Sequence, residues 1–366
     1  MTLDKGFRRA VGEVRRSCAV VFAAMIVGLV LSAAAQAAPG DLDPTFSADG
    51  LQTTAFPAGE AWANALAIQP DGKIVVVGRA SVLTGGQIRL VRYNPNGTYD
   101  HSFGGGGSAG AQFGSGVQAS DVAIQPDGKI VAVGRSGGDF AVARFNRNGS
   151  LDKSFSGDGR QLTPFAVGGA GARGLRIQSN GKIVVAGYAG YKFAVARYNP
   201  NGTPDTTFSG DGRRVSPFLG NGSDLFDVAV LGSGKIVAVG RSDGEKFAVA
   251  RYNGDGSPDT SFSGDGFQVT PFGDSATAYG AALAGGGPKI VVVGQSTVAS
   301  SPAFALARYN QNGSLDTSFA GDGLQTTDFP AVYDRGANAV AVQGDGKIVV
   351  AGGAGLDFAL ARYEGG

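Results

Sequence analysis

The chain is written in short apolar runs punctuated by Gly, Asp and Asn, and the runs recur in step. A phrase around Gly-Lys-Ile places Lys73, Lys129, Lys182, Lys235, Lys289 and Lys347 at intervals of 53 to 58 residues. Ala/Val-Arg-Tyr/Phe keeps the same step with Arg92, Arg144, Arg197, Arg251, Arg308 and Arg362, and Asp-x-x-Phe does so with Phe46, Phe103, Phe155, Phe208, Phe262 and Phe319. Three markers in phase over six copies define a repeat architecture. In the third copy, 172–178 alternate as a half-buried strand, 182–188 form a β-branched run, 192–199 form a third strand and, after a long connection, 213–218 form a fourth. These are strands A to D of a copy. Gln178-Ser179-Asn180-Gly181 and its counterparts Gln69-Pro70-Asp71-Gly72 and Gln125-Pro126-Asp127-Gly128 read as tight A–B turns, where Asn-Gly or Asp-Gly supplies left-handed backbone angles.

Four strands per copy in six copies predict an all-β, six-bladed β-propeller of four antiparallel strands per blade. A β-solenoid would have shorter coils and an open end. Residues 51–56 read as a D strand with no copy of their own, and the chain finishes on the C strand that ends Ala361-Arg362-Tyr363, with no D strand after it. The N-terminal strand is therefore expected to complete the last blade and close the ring, hiding its sheet edges.

Composition changes the picture in three places. Residues 1–18 carry Lys5, Arg8, Arg9, Arg15 and Arg16, an apolar run follows to about Leu31, and Ala35-Gln36-Ala37 is a small-x-small cleavage pattern. Residues 1–37 thus read as a secretory signal peptide, with 38–366 as one propeller domain and a secreted or periplasmic destination. The apolar run is too short for the roughly 20 residues of a membrane-spanning helix. Removing the peptide takes away the only cysteine, Cys18, so packing alone must hold the fold, and the net charge becomes about −2. Without a basic run, nucleic acid and anionic membranes are poor partners. Glycine, 62 of 366 residues, collects between the apolar runs, and no long helix is expected.

The phrases QPDGKIVVVG, FAVARYNPNG and LDxSFxGDG resemble the delta-60 repeat family, bacterial exported β-propeller-like proteins without an assigned activity. The resemblance runs from about Gly40 to the end and implies fold and export. It brings no catalytic residue. The fifth copy departs from it, with Gly285-Gly286-Gly287-Pro288 in place of the usual A–B turn.

The A–B and C–D connections repeat with little change, whereas the B–C and D–A loops, which leave from the opposite face, differ in length and chemistry. A residue present in every blade serves packing; a specific site needs residues that differ between blades. The candidate binding residues on the variable face are Trp62, Arg79, Arg135, Tyr188, Tyr191, Lys192, Arg241, Glu245, Lys246, Tyr333, Asp334 and Arg335. The plainer reading makes them solvated loop side chains. The repeated Arg of strand C and Asp of Asp-x-x-Phe are expected to pair within each blade, and the Phe to plug the space between strands or blades. The one histidine, His101, falls where other copies have Lys or Thr, so a His triad or a His-rich zinc site is not expected. No cofactor is expected. Asn94, Asn96 and Asp100, Asn148 with Asp152, and Asn253, Asp255 and Asp259 faintly suggest a calcium loop but lack its bidentate Glu. The functional expectation is a monomeric, non-catalytic interaction module for a protein or glycan. The alternatives are a structural envelope or matrix protein and a hydrolase or lyase with an axial carboxylate site.

Overall fold

The computed structural model describes residues 42–56, 61–80, 86–216, 222–242, 244–284, 289–298, 301–329, 335–355 and 357–365. The expected signal peptide, the fifth A–B turn at 285–288, and Tyr333 and Asp334 lie outside them. The chain divides into Met1–Leu51 and Gln52–Gly366. Of the first unit, the described part is a turn in which the Phe46 N–H donates to the Asp43 carbonyl and the Gly50 N–H to that of Phe46. No helix among the described residues is long and apolar enough to cross a membrane.

The second unit is all β, in six antiparallel sheets. The first blade holds β1 (Ala61–Ile68), β2 (Ile74–Ala80), β3 (Gly86–Tyr93) and β4 (Ser108–Gly114), and the second β5 (Gln118–Ile124), β6 (Ile130–Ser136), β7 (Asp139–Phe145) and β8 (Arg160–Thr163). The third holds β9 (Ala170–Ile177), β10 (Ile183–Ala189), β11 (Lys192–Tyr198) and β12 (Arg213–Ser216), and the fourth β13 (Asp224–Val230), β14 (Ile236–Ser242), β15 (Lys246–Tyr252) and β16 (Phe267–Thr270). In the fifth are β17 (Ser275–Ala284), β18 (Lys289–Val298), β19 (Ser301–Tyr309) and β20 (Leu324–Thr327), and the sixth has β21 (Arg335–Val342), β22 (Ile348–Ala354) and β23 (Asp357–Tyr363). Within each sheet the strands pair in chain order, A to D in the first five and A to C in the sixth.

The A–B turns differ from the expectation in detail. In the turn at 178–182 the Gly181 N–H donates to the Gln178 carbonyl and the Gln178 N–H to that of Lys182, and Gly181 rather than Asn180 takes the left-handed angle. A three-residue turn closed by glycine needs one left-handed residue, not two. The two-residue B–C turns do use two, Gly137-Gly138 and Gly190-Tyr191.

The core lies between blades. Val237, Val239, Phe247 and Val249 of the fourth meet Ile290, Val292, Ala305, Ala307 and Tyr309 of the fifth, all buried. Because both faces of strands B and C are covered this way, they read as unbroken apolar runs; burying each Phe or Val contributes about 1.5–3 kcal/mol. The D strands of the second to fifth blades also touch the next blade: the hydroxyls of Thr163 and Tyr198, Ser216 and Tyr252, Thr270 and Tyr309, and Thr327 and Tyr363 are 2.7–2.8 Å apart.

The repeated charges are packing devices. Asp100, Asp152, Asp205, Asp259 and Asp316 each receive the strand-C Arg of their own blade at 2.5–2.7 Å and the Lys of the Gly-Lys-Ile phrase at 2.7–3.0 Å. The same Arg reaches the next blade, with Arg92 donating to the Arg147 carbonyl, Arg144 to Pro200, Arg251 to Gln311 and Arg308 to Gly365. Its guanidinium lies over the Phe of the Asp-x-x-Phe phrase, 4.4–4.9 Å from the ring centre in five blades. These rings are buried, as a plug requires, while His101 is exposed.

The sixth sheet has three strands. Gln52–Phe56, expected beside β23, joins no ladder among the described residues, and Phe358 and Leu360 of β23 are exposed, Leu360 at 68%. Gln52–Phe56 instead lies against the first blade, the Thr54 hydroxyl 2.6 Å from that of Tyr93. This is the contact that a D strand makes with the following blade, without the ladder to its own.

Candidate functional site

The first strands of successive blades, β1, β5, β9, β13, β17 and β21, are neighbours. Each carries a β-bulge at one position. Their registers with the second strands slip between Ala63 and Ala65, Ala119 and Asp121, Ala172 and Gly174, Leu225 and Asp227, Ala278 and Gly280, and Ala337 and Ala339. Asn64, Ser120, Arg173, Phe226, Tyr279 and Asn338 are the extra residues. A bulge re-aims the side chain it carries, and it is common beside functional sites.

The local cause is a glycine in each second strand: Gly78, Gly134, Gly187, Gly240, Gly294 and Gly352. A Cβ at any of them would lie 1.8–2.0 Å from a carbonyl oxygen of the bulged strand. Only glycine admits that approach.

The bulges open a cleft of about 510 Å³, lined by Trp62 and Asn64 of β1, Gln118, Ala119 and Ser120 of β5, Arg173 of β9, Phe226 of β13 and Tyr279 of β17. Phe226 and Tyr279 meet edge to face with ring centres 5.2 Å apart. The Arg173 guanidinium lies 5.4 Å from the Phe226 ring centre and 5.5 Å from that of Tyr188, an arrangement that holds it by cation–π attraction. The Asn64 amide donates to the Ala119 carbonyl at 2.6 Å, tying the first two blades together.

Two carboxylates follow directly after bulges. Asp121 accepts the N–H groups of Val122 and Leu175, both at 2.8 Å, and Asp227 accepts those of Val228 at 2.7 Å and Ala281 at 3.1 Å. Arg176 spans them, 3.4 Å from Asp121 and 2.9 Å from Asp227. Burial pushes the Asp121 carboxyl up to about 6, against the pull of Arg176 and the two N–H groups, and burial raises Asp227 as well. Their oxygens stitch one blade to the next.

The residues expected on the variable face are dispersed around this cleft. Trp62 lines it, 49% exposed, and Tyr188 stacks on Arg173. Arg135 is exposed and stands in register with Gln118. Arg241 is taken by Asp224 at 3.2 Å. Tyr191, 71% exposed, and Glu245 occupy hairpin tips with left-handed φ of 60° and 53°, and Lys192 and Lys246 follow them in sequence. Only the backbone is described for Arg79, paired with Trp62, and for Arg335, paired with Ala354.

The bulge residues Asn64, Ser120, Arg173, Phe226, Tyr279 and Asn338 were not anticipated from the sequence. Their signal is a column that holds five residue types in six copies, opposite a glycine that never changes.

In the first of the three loops considered for calcium, the side-chain oxygens accept hydrogen bonds from the protein. Asn96 accepts the Thr98 N–H and hydroxyl, Asn94 accepts Lys73, and Asp100 accepts Ser102, Arg92 and Lys73. Among the described residues, no three His, Cys, Asp or Glu side chains are grouped to hold a metal.

The family model described as "Domain of unknown function (DUF5122) beta-propeller" matches residues 69–103, 125–155, 178–208, 231–262, 289–319 and 343–365. The chain belongs to the DUF5122 beta-propeller family. Each match to this family begins at or near an A–B turn, and the first five end on the plug Phe of the same blade. No curated protein matches the sequence. Among solved structures, this DUF5122 chain resembles virginiamycin B lyase from Staphylococcus aureus, with 10% identity, 82% of this chain and 84% of that one covered, and a TM-score of 0.52. It also resembles the WD40 propeller domain of Doa1, with 13% identity, 80% and 76% covered, and a TM-score of 0.46. At such identity the lyase shares the fold alone.

Proposed function

We propose that this DUF5122 protein is an exported, non-catalytic interaction module that binds a protein or glycan through the bulge-lined cleft and the variable loops around it. One observation carries the reading: a single backbone position, held open by a glycine in all six blades, presents Asn, Ser, Arg, Phe, Tyr and Asn. A purely structural array gains nothing from varying that column. A hydrolase or lyase would need free carboxylates, whereas the Asp121 and Asp227 oxygens are engaged by backbone N–H groups and Arg176. The test is an array of soluble glycans and extracellular proteins probed with the protein and with its Trp62→Ala and Tyr279→Ala variants. Binding lost in both variants supports the cleft; binding that survives both refutes it.

The same proposal takes the ring as closed by Gln52–Phe56 on β23. Residues 51–54 repeat the Leu-Gln-Thr-Thr of β20, and Thr54 already makes the D-strand contact to the following blade. Phe304 and Leu306, the counterparts of Phe358 and Leu360, are fully buried beside β20. By the β19–β20 register, Thr53 would face Ala359. Thr53→Cys with Ala359→Cys should form a disulfide within one chain under mild oxidation. A double variant that keeps both thiols while remaining folded would show an open edge.

A further inference from the structure

We infer that the cleft is built for an acidic saccharide chain, one whose sugar rings carry carboxylates; this rests on the binding role proposed for the cleft. Three features of the lining carry the inference.

First, the cleft offers a cation without a resident counter-charge. Among the described residues Arg173 makes no ion pair, and the nearby carboxylates Asp121 and Asp227 are committed to Arg176 and to backbone N–H groups. Tyr188 and Phe226 hold the Arg173 guanidinium by cation–π attraction, which uses none of its N–H groups in a conventional hydrogen bond. A planar fork of that kind matches a carboxylate in a two-point hydrogen bond. Arg135, also exposed and without an ion pair among the described residues, adds positive charge one strand outward.

Second, the lining alternates rings and amides. Trp62 and Tyr279 present apolar ring surface on which the C–H face of a sugar can lie, while Gln118 supplies an amide and Asn64, whose amide nitrogen is held by Ala119, a carbonyl oxygen for hydroxyls. β1, β5, β9 and β13 are the edge strands of their sheets, each paired only to its second strand, so an extended acidic peptide is the competing ligand that the test has to separate.

Third, the lining comes from five successive inner strands, β1 to β17. A site spread over five blades suits a chain of rings better than one small anion, which a single guanidinium would satisfy.

The test is titration calorimetry of the whole protein with tetragalacturonate, with maltotetraose as the neutral counterpart and polyglutamate as an acidic peptide. The expected result is binding of tetragalacturonate alone, weakened by salt, and weakened about tenfold or more in Arg173→Gln, the range for a lost charge-assisted hydrogen bond. Arg173→Lys should recover part of the loss, since it keeps the charge but not the fork. Unchanged melting temperatures establish that the variants are folded. Equal binding of the two saccharides with no effect of Arg173→Gln overturns the acidic ligand, while a loss of both in Trp62→Ala leaves the cleft reading standing. Polyglutamate binding that depends on Arg173, or no saccharide binding at all, overturns the saccharide. Binding that ignores Trp62, Tyr279 and Arg173 alike overturns the cleft reading itself.

Discussion

Phe208 and Gly256 give the strictest check on how neighbouring blades are joined. Phe208 ends the Asp-x-x-Phe phrase of the third blade and is fully buried, with the Arg197 guanidinium 4.9 Å from its ring centre. Its ring lies against Gly256 of the fourth blade, where a Cβ would come within 3.0 Å of two ring carbons and 2.5 Å of the Ser209 hydroxyl. Truncation in Phe208→Ala loses the transfer energy of a buried ring and leaves a cavity, about 3–5 kcal/mol. Gly256→Ala should cost about 1–2 kcal/mol from its left-handed backbone alone, φ being +84°, and more from the clash with the ring and the hydroxyl. The two effects are not independent, because removing the ring removes part of the clash. In the Phe208→Ala background, Gly256→Ala should therefore cost less by about 0.5–3 kcal/mol, the usual coupling for residues in contact. The assay is equilibrium urea unfolding of wild type, both single variants and the double variant, read by far-UV circular dichroism and tyrosine fluorescence together so that a single transition can be verified. Strictly additive costs, or a cost below about 1 kcal/mol for Phe208→Ala, would refute the plug.

The other predictions concern charge and backbone strain. For Asp205, burial pushes the pKa up, but hydrogen bonds from Lys182, Thr207 and Arg197 outweigh it and hold the carboxyl at about 2. Its folded value is thus below the unfolded one, so its stabilisation is present above about pH 4 and fades as pH falls toward 2; Asp205→Asn at neutral pH should cost about 3–5 kcal/mol by stranding Arg197. Asp121 has the opposite sign. With its folded value raised to about 6, stability from this group falls as pH rises from about 4 to 6, by up to about 3 kcal/mol, and Asp121→Asn should flatten that part of the melting-temperature profile. An unaltered profile would contradict its burial. Tyr191→Gly, which relieves a left-handed residue on an exposed hairpin tip, should stabilise the fold by about 1 kcal/mol while weakening ligand capture; a destabilised variant would show that the tyrosine ring packs in the fold.

Most of the architecture was legible because the repeats print it six times. Strand positions in the third copy, such as 192–199 for β11 (Lys192–Tyr198), came from runs that need both faces covered, and the pairing of Arg197 with Asp205 came from their recurrence together. Lys182 as the third member of that cluster was missed, since it lies 23 residues from Asp205 and only the sheet register brings it there. The candidate site was half legible. Trp62 and Tyr188 were found because they differ between copies near the strand ends, but Arg173, Phe226 and Tyr279 were hidden inside strands assumed to alternate regularly. Tyr191 and Glu245 were noticed as loop side chains, while their left-handed angles follow only from the hairpin they close.

By itself the sequence determined the all-β repeat, the number of copies and which connections repeat and which vary, because local turn chemistry and strand periodicity act within about ten residues and each copy restates them. The tertiary structure decided which varying residues meet. A bulge exists only as a mismatch between two paired strands, and a cleft only as the space that five such strands leave between them. Neither is a property of any one segment. The glycine opposite each bulge was in plain view at Gly187 and its five counterparts, but its meaning, a carbonyl oxygen 2.0 Å from where its Cβ would be, is fixed by the neighbouring strand.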